Sequence, residues 1–283
     1  MDISLLKKKL TEDGFVLVPN VLDNKQVKSL RDALDEIYKN ESMYEGDTKK
    51  VRFDLFGRYK KLNWLLFHEP LLKVLRDTLG EDFIFLKEMV SHLAGYGGWH
   101  KDSTEQETHG HKFHLDNDYL MVEAALYLQD NTKEHGGGLD VIKGSHKISD
   151  SYFKSRVPPK GLFRSFFWKV KNKIKMFFKK QILFKNKKKQ DIHEKISYSI
   201  PSKAGDLLIF DFRLDHKSSW PQKEVPHEKR KMAIFCAASK NNLHAESYMK
   251  FIETRKDYIY LKNHRYPAEL IDLAKKNKVN LWV

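Results

Sequence analysis

Trp99-His100-Lys101-Asp102 sets an imidazole and a carboxylate two positions apart. In extended backbone such residues point to the same side, so His100 and Asp102 can grip one metal ion from one direction. A second imidazole from a distant strand would complete a face of two histidines and one carboxylate. Such a face leaves several metal positions open and suits non-haem Fe(II) oxygenase chemistry. His216 is the candidate. It lies just past the run Ala204-Gly205-Asp206-Leu207-Leu208-Ile209-Phe210-Asp211-Phe212, which has the form of a turn and a strand. Lys217-Ser218-Ser219-Trp220-Pro221 follows, then a polar loop, then Arg230 at the entry to a new strand, Met232 to Ala238. An arginine there stays charged, can reach back toward the metal and can hold a carboxylate through two parallel N–H groups.

Other reactive side chains have plainer readings. His92, His100, His109, His111 and His114 crowd one region. A zinc site from His109, His111 and His114 is one alternative there, and solvated loop histidines are the more usual outcome. A second His-x-Asp, His114-Leu115-Asp116, competes with the first. Cys236 alternates within an apolar strand pattern and has no adjacent base, so it is most simply a core residue. Trp99 and Trp220 sit beside the candidate ligands, where either packing or pocket lining would place them. Arg213 and Asp215 flank His216 as surface groups or as its partners.

The elements that must position these residues change period along the chain. Asp13-Gly14-Phe15-Val16-Leu17-Val18-Pro19 predicts a turn and a short strand. From Asp23 to Lys39, Val27, Leu30, Leu34 and Ile37 form one helical stripe, with Asp23 as N-cap. Residues 69–80 predict a second helix, Pro70 near its start and Gly80 at its end. Strand-length runs follow at 83–94, 119–128, 139–142, 196–200, 206–212 and 231–238, and residues 267–278 predict a closing helix. The strands do not alternate with helices, which excludes a doubly wound sheet and favours a sandwich, jelly roll or barrel. Gly136-Gly137-Gly138 stands between two such strands, so it predicts a hairpin turn rather than a phosphate loop opening a helix.

Several words of this sequence resemble the phytanoyl-CoA dioxygenase family of Fe(II)/2-oxoglutarate oxygenases. They are Asp13-Gly14-Phe15 with its following helix, Trp99-His100-Lys101-Asp102, and Tyr127-Leu128-Gln129-Asp130-Asn131 leading to Glu134-His135-Gly136-Gly137-Gly138-Leu139. Gly144-Ser145-His146-Lys147, Gly205-Asp206-Leu207-Leu208-Ile209-Phe210, His216-Lys217-Ser218 and Arg230 complete the pattern. The resemblance implies a mainly β protein with flanking helices, built on a cupin-like double-stranded β-helix, or jelly roll. It implies iron held by His100, Asp102 and His216. Arg230, with help from Ser218, would take the distal carboxylate of 2-oxoglutarate, and O2 would be the oxidant. Trp99 and the Gly-rich approach Gly95-Tyr96-Gly97-Gly98 belong with the first His-x-Asp, which favours His100 over His114. His146 falls outside the triad and is either structural or a partner that supports the ligands. Lys143 stands where a proline usually precedes Gly-Ser-His, which touches a turn and not the chemistry. Related halogenases carry a small residue at position 102, so an aspartate there favours hydroxylation.

Composition narrows the setting. The chain has 283 residues, one cysteine and 41% hydrophobic residues, which fits a globular fold and excludes a disulfide framework or a multi-cysteine metal site. The first residues hold no apolar core of signal-peptide length, and no charge-free apolar run nears the ~18 residues of a membrane span. The expectation is a soluble cytoplasmic protein forming one domain over 1–283. The net charge of +14 is concentrated: residues 154–190 hold 14 Lys/Arg and no acid, leaving 38 of the 52 basic residues against 38 acidic ones. A basic body suited to nucleic acid is therefore excluded. Within 154–190, Phe163, Phe166, Phe167, Val170, Ile174, Phe177 and Phe178 fall at helical spacing among lysines. That pattern suits a helix in an anionic membrane interface over residues 160–190, and its regularity favours a membrane over nucleic acid. A lipid, glycolipid or other membrane-associated substrate would follow. The alternatives are a soluble metabolite as substrate, with the insert used for oligomerisation, or a non-catalytic jelly-roll binding module.

Overall fold

The computed structural model describes residues 3–40, 42–43, 47–103, 118–148, 196–254, 258, 261 and 265–283. The described residues up to Leu79 are largely helical: α1 (Ile3–Asp13), β1 (Phe15–Val18), α2 (Asn24–Asn40), β2 (Val51–Arg52), α3 (Leu55–Arg58) and α4 (Glu69–Leu79). Strands follow as β3 (Ile84–Leu93), β4 (Met121–Tyr127), β5 (Leu139–Val141), β6 (Tyr198–Ser199), β7 (Leu207–Asp211), β8 (His216–Ser218) and β9 (Met232–Ser239). Helices α5 (Asn242–Ile252) and α6 (Ala268–Lys276) and strand β10 (Asn280–Leu281) close the chain.

The strands form two sheets. The larger has the order β1-β7-β4-β9-β3-β10, with β2 added on β3, and the smaller has the order β6-β5-β8. From β4 onward the chain passes to β5 and β6 of the small sheet, back to β7, across to β8 and back to β9, as in a double-stranded β-helix, and the mainly β, helix-flanked architecture is the expected one. Both faces of the large sheet are covered, so β4 and β9 are buried at every residue. This explains why they read as nearly continuous apolar runs, broken in β4 by Glu123, instead of alternating ones.

Side-chain parity divides the two faces. Met232, Ile234 and Cys236 of β9 pack outward against Leu30, Leu34 and Ile37 of α2 and Leu71 and Leu75 of α4. Ala233 and Phe235 point the other way, into an interior shared with Val90, Ala125, Tyr127, Leu208, Phe210 and Val141. Helix α2 is placed by a reciprocal cap. The Gln26 N–H donates to Asp23 Oδ1 at 2.8 Å, and the Asp23 N–H donates to Gln26 Oε1 at 2.9 Å.

Two helices go beyond the sequence reading. Instead of a simple turn, the residues before Gly14 form α1, which buries Leu6 and Leu10, one turn apart. Helix α5 buries His244, Ala245, Tyr248, Met249, Phe251 and Ile252 against one end of the barrel. The basic insert 154–190 lies outside the described residues, as do His109, His111, His114 and Asp116.

Candidate metal centre

His100 and His216 meet backbone to backbone. Each donates its N–H to the other's carbonyl at 2.9 Å, an isolated antiparallel bridge at the mouth of the small sheet. The bridge brings the two imidazoles to 4.2 Å between ring centroids. Asp102, two residues past His100, then faces both rings. Its Oδ1 lies 3.5 Å from His100 Nε2 and 3.9 Å from His216 Nε2. Ligand atoms of all three lie within 4.8 Å of one another.

The far side of each ring is tied to the backbone. His100 Nδ1 lies 2.7 Å from the Gly98 carbonyl, and His216 Nδ1 lies 2.9 Å from the Leu214 carbonyl. A carbonyl only accepts, so each Nδ1 carries a proton and Nε2 is the nitrogen each ring aims at Asp102. Burial, the neighbouring His100 and the Lys231 cation push the His216 pKa well below its usual value, while its bond to Leu214 opposes this. The ring is therefore the neutral form that a metal needs.

Lys101, between His100 and Asp102, turns the opposite way. Its buried ammonium donates to the Ser145 carbonyl at 2.7 Å and the Ile148 carbonyl at 2.8 Å, with Asp215 Oδ2 3.9 Å away. This joins the His100–Asp102 segment to the Gly144-Ser145-His146 turn and to the residue before His216.

Arg230 does not reach this centre. Its guanidinium forms a hydrogen-bonded ion pair with Asp35 of α2, on the outer side of the large sheet. The cation that enters the interior is Lys231. It is 2% exposed, and its Nζ donates to Ser218 Oγ at 3.0 Å. No carboxylate pairs with it among the described residues. Tyr96 and Phe235 offer ring faces 5.6 and 5.9 Å away. Tyr127 Oη, in the same interior, is buried with no hydrogen-bond partner among the described residues. A lone ammonium, a serine hydroxyl and an unpartnered phenol in an apolar interior fit a small carboxylate arriving from the metal side.

The family model for phytanoyl-CoA dioxygenase matches residues 10–220. The chain belongs to the phytanoyl-CoA dioxygenase family. It is thus an Fe(II)/2-oxoglutarate-dependent oxygenase, with O2 as the third reactant. Among solved structures, this oxygenase is similar to the α-ketoglutarate-dependent epimerase SnoN from nogalamycin biosynthesis: TM-score 0.54, 13% identity, 83% of this chain and 81% of that one. HygX from Streptomyces hygroscopicus, with nickel and 2-oxoglutarate bound, gives 0.54 at 15% identity, over 83% of this chain and 86% of that one. EctD from S. alaskensis, with 2-oxoglutarate and 5-hydroxyectoine, gives 0.52 at 15%, over 82% and 74%. At these identities the likeness is one of fold. No curated protein matches the sequence.

The other residues of the oxygenase's motifs are structural in their contacts. His146 Nε2 lies 3.0 Å from the Thr11 carbonyl near the end of α1. Arg213 holds Asp211 through Nε at 2.9 Å and Nη2 at 2.6 Å. Cys236 is buried in the core between β9 and the helices, and burial pushes its thiol pKa well up. Trp99 is buried with Lys217 over its ring, while Trp220 is 56% exposed and tilts against Tyr96. Gly136 makes the close turn before β5: with φ at 59°, an added Cβ would sit 2.3 Å from the Ser219 carbonyl. Among the described residues no helix is long and apolar enough to cross a membrane.

Proposed function

We propose that this oxygenase hydroxylates a C–H bond, with iron held by His100 Nε2, His216 Nε2 and an Asp102 carboxylate oxygen. The convergence of these three on one point carries the reading. Iron held there would let O2 serve as the oxidant, one oxygen atom going to the substrate C–H bond and the other to 2-oxoglutarate, with succinate and CO2 as co-products. The chain's own part is placement. The Gly98 and Leu214 carbonyls hold both imidazoles as Nδ1–H tautomers. Asp102 fills the position that a halide would need. Lys231 and Ser218, not Arg230, take the distal carboxylate of 2-oxoglutarate, and Phe210, Phe235 and Leu208 keep that end dry.

Anaerobic addition of Fe(II) and 2-oxoglutarate tests the assignment. The expected result is a visible charge-transfer band that needs both and is lost in His216→Ala. A band that survives in His216→Ala contradicts the ligand set.

The sequence of residues 154–190 supports one further reading, recruitment to an anionic membrane surface where a lipid or membrane-associated substrate is presented. Each lysine near such a surface contributes ~1 kcal/mol. Co-sedimentation with vesicles containing phosphatidylserine, lost on deleting 160–190, is the expected outcome. Equal binding to neutral vesicles, or binding kept without the segment, contradicts it.

A further inference from the structure

Glu123 is a carboxylic acid with no visible reason to be where it is. It lies on β4 between Met121 and Ala125, which belong to two adjoining apolar clusters of the interior. Only 8% of it is exposed, and its Oε1 is buried with no hydrogen-bond partner among the described residues. A buried carboxyl oxygen without a partner is destabilising, and more so if ionised, so packing alone does not account for it.

Its position ties it to the reacting centre. On the ladder, Glu123 stands opposite Phe210 on one side and Ala237 on the other. The Phe210 ring packs on the ring of His216 at 4.8 Å. A second carboxylate, Glu88 of β3, approaches the same end of the barrel, and its two oxygens accept hydrogen bonds from Tyr248 and Tyr258. Two phenol donors fix this carboxylate in direction. Glu88 and Asp102 both act on Glu123 as like charges, and burial with these charges raises its pKa well above the carboxylate range. Lys231, the buried cation of the interior, lies at the other end, beside Ser218.

We propose that Glu123 and Glu88 form a cation subsite beside the metal centre, receiving a protonated amine of the substrate. The inference rests on the oxygenase reading for its location, and it names the chemistry of the group next to the oxidised carbon. An ammonium supplies what Glu123 lacks, a donor and a positive charge together; a hydroxyl supplies only the donor, and a carboxylate neither. The acidic end and the Lys231 end then sort the two ligands. The dicarboxylate is drawn to the lysine, and the amine to the glutamates.

The test titrates benzylammonium, benzyl alcohol and benzoate into the anaerobic Fe(II)/2-oxoglutarate-loaded protein. Heat and the shift of the charge-transfer band are the readouts. Benzylammonium is expected to bind at least about tenfold more tightly than the other two, and Glu123→Gln to remove that preference. Glu88→Gln should weaken it in the same direction and serves if Glu123→Gln does not fold. Equal affinity for amine and alcohol, or a preference unchanged in these variants, overturns the subsite. The amine and alcohol are also titrated into metal-free protein. Failure of 2-oxoglutarate to bind would then count against the oxygenase reading, while the amine preference is still read.

Discussion

Arg230 and Lys231 are neighbours in the chain that leave the entry to β9 through opposite faces of the large sheet. Arg230 goes outward to Asp35, and Lys231 goes inward to Ser218. Side chains alternate across a strand, so adjacent residues cannot share a destination. Only Lys231 shares parity with Ala233 and Phe235, which line the interior. Lys231→Met is therefore expected to raise the KM for 2-oxoglutarate by about 100-fold, the loss of a buried charge-assisted contact. Arg230→Met should leave it within about twofold, as expected for a partly exposed ion pair. Steady-state succinate assays over a range of 2-oxoglutarate concentrations separate the two, and the reverse order contradicts the assignment.

The same lysine predicts a pH dependence. Burial brings the Lys231 ammonium down to about 8. The cation is intact below that pH and lost above it, and a dicarboxylate binds the charged form. The Kd for 2-oxoglutarate should thus be flat below about pH 8 and rise about tenfold per pH unit above it. Lys231→Arg stays charged throughout and should flatten the rise. A rise that persists in Lys231→Arg would place the titrating group elsewhere.

How much of this was legible in the sequence follows from what each signal encodes. The strand runs and the helices from Asp23 and from residue 69 were legible because apolar period is local. The meeting of His100 with Asp102 was legible because i and i+2 share a side. The meeting of either with His216 was suggested by motif words and is made by one backbone bridge. The choice between Arg230 and Lys231 was hidden, because β9 is apolar on both faces and its parity has no polar marker. Glu123 was hidden for a related reason: one acid within an apolar strand looks like an edge residue until both neighbouring strands are known. Helix α1 was masked by Lys7, Lys8 and Lys9, which leave only Leu6 and Leu10 to face the core.

Lys101 is expected to act on the metal through the segment it anchors. Lys101→Met keeps most of the apolar stem, one atom shorter, and removes the donors to the Ser145 and Ile148 carbonyls. Supporting contacts of this kind typically carry 10–100-fold in metal affinity. Co(II) titration should show at least about tenfold weaker binding, with circular dichroism unchanged. Unchanged affinity would mean that the His100–Asp102 segment holds its geometry without the lysine.

Gly14 joins α1 to β1 with φ at 84°, and an added Cβ would lie 2.5 Å from His146 Nδ1 and 2.7 Å from Leu214 Cδ1. Leu214 in turn presents the carbonyl that orients His216. Gly14→Ala combines backbone strain with a clash and should cost about 2–3 kcal/mol. A thermal melt is expected to show a Tm lower by about 4–12 °C. A melt indistinguishable from wild type would mean that the turn relaxes without moving either neighbour.

The iron site proposed for this oxygenase is His100, Asp102 and His216. Succinate formation from 2-oxoglutarate, with Fe(II) added anaerobically before exposure to air, tests it most directly. Wild type is run beside His100→Ala, His216→Ala and His114→Ala. Wild type and His114→Ala are expected to form succinate, with a loss of at least about 100-fold in the other two. Succinate that persists in His100→Ala and vanishes in His114→Ala would contradict it and move the iron to the second His-x-Asp.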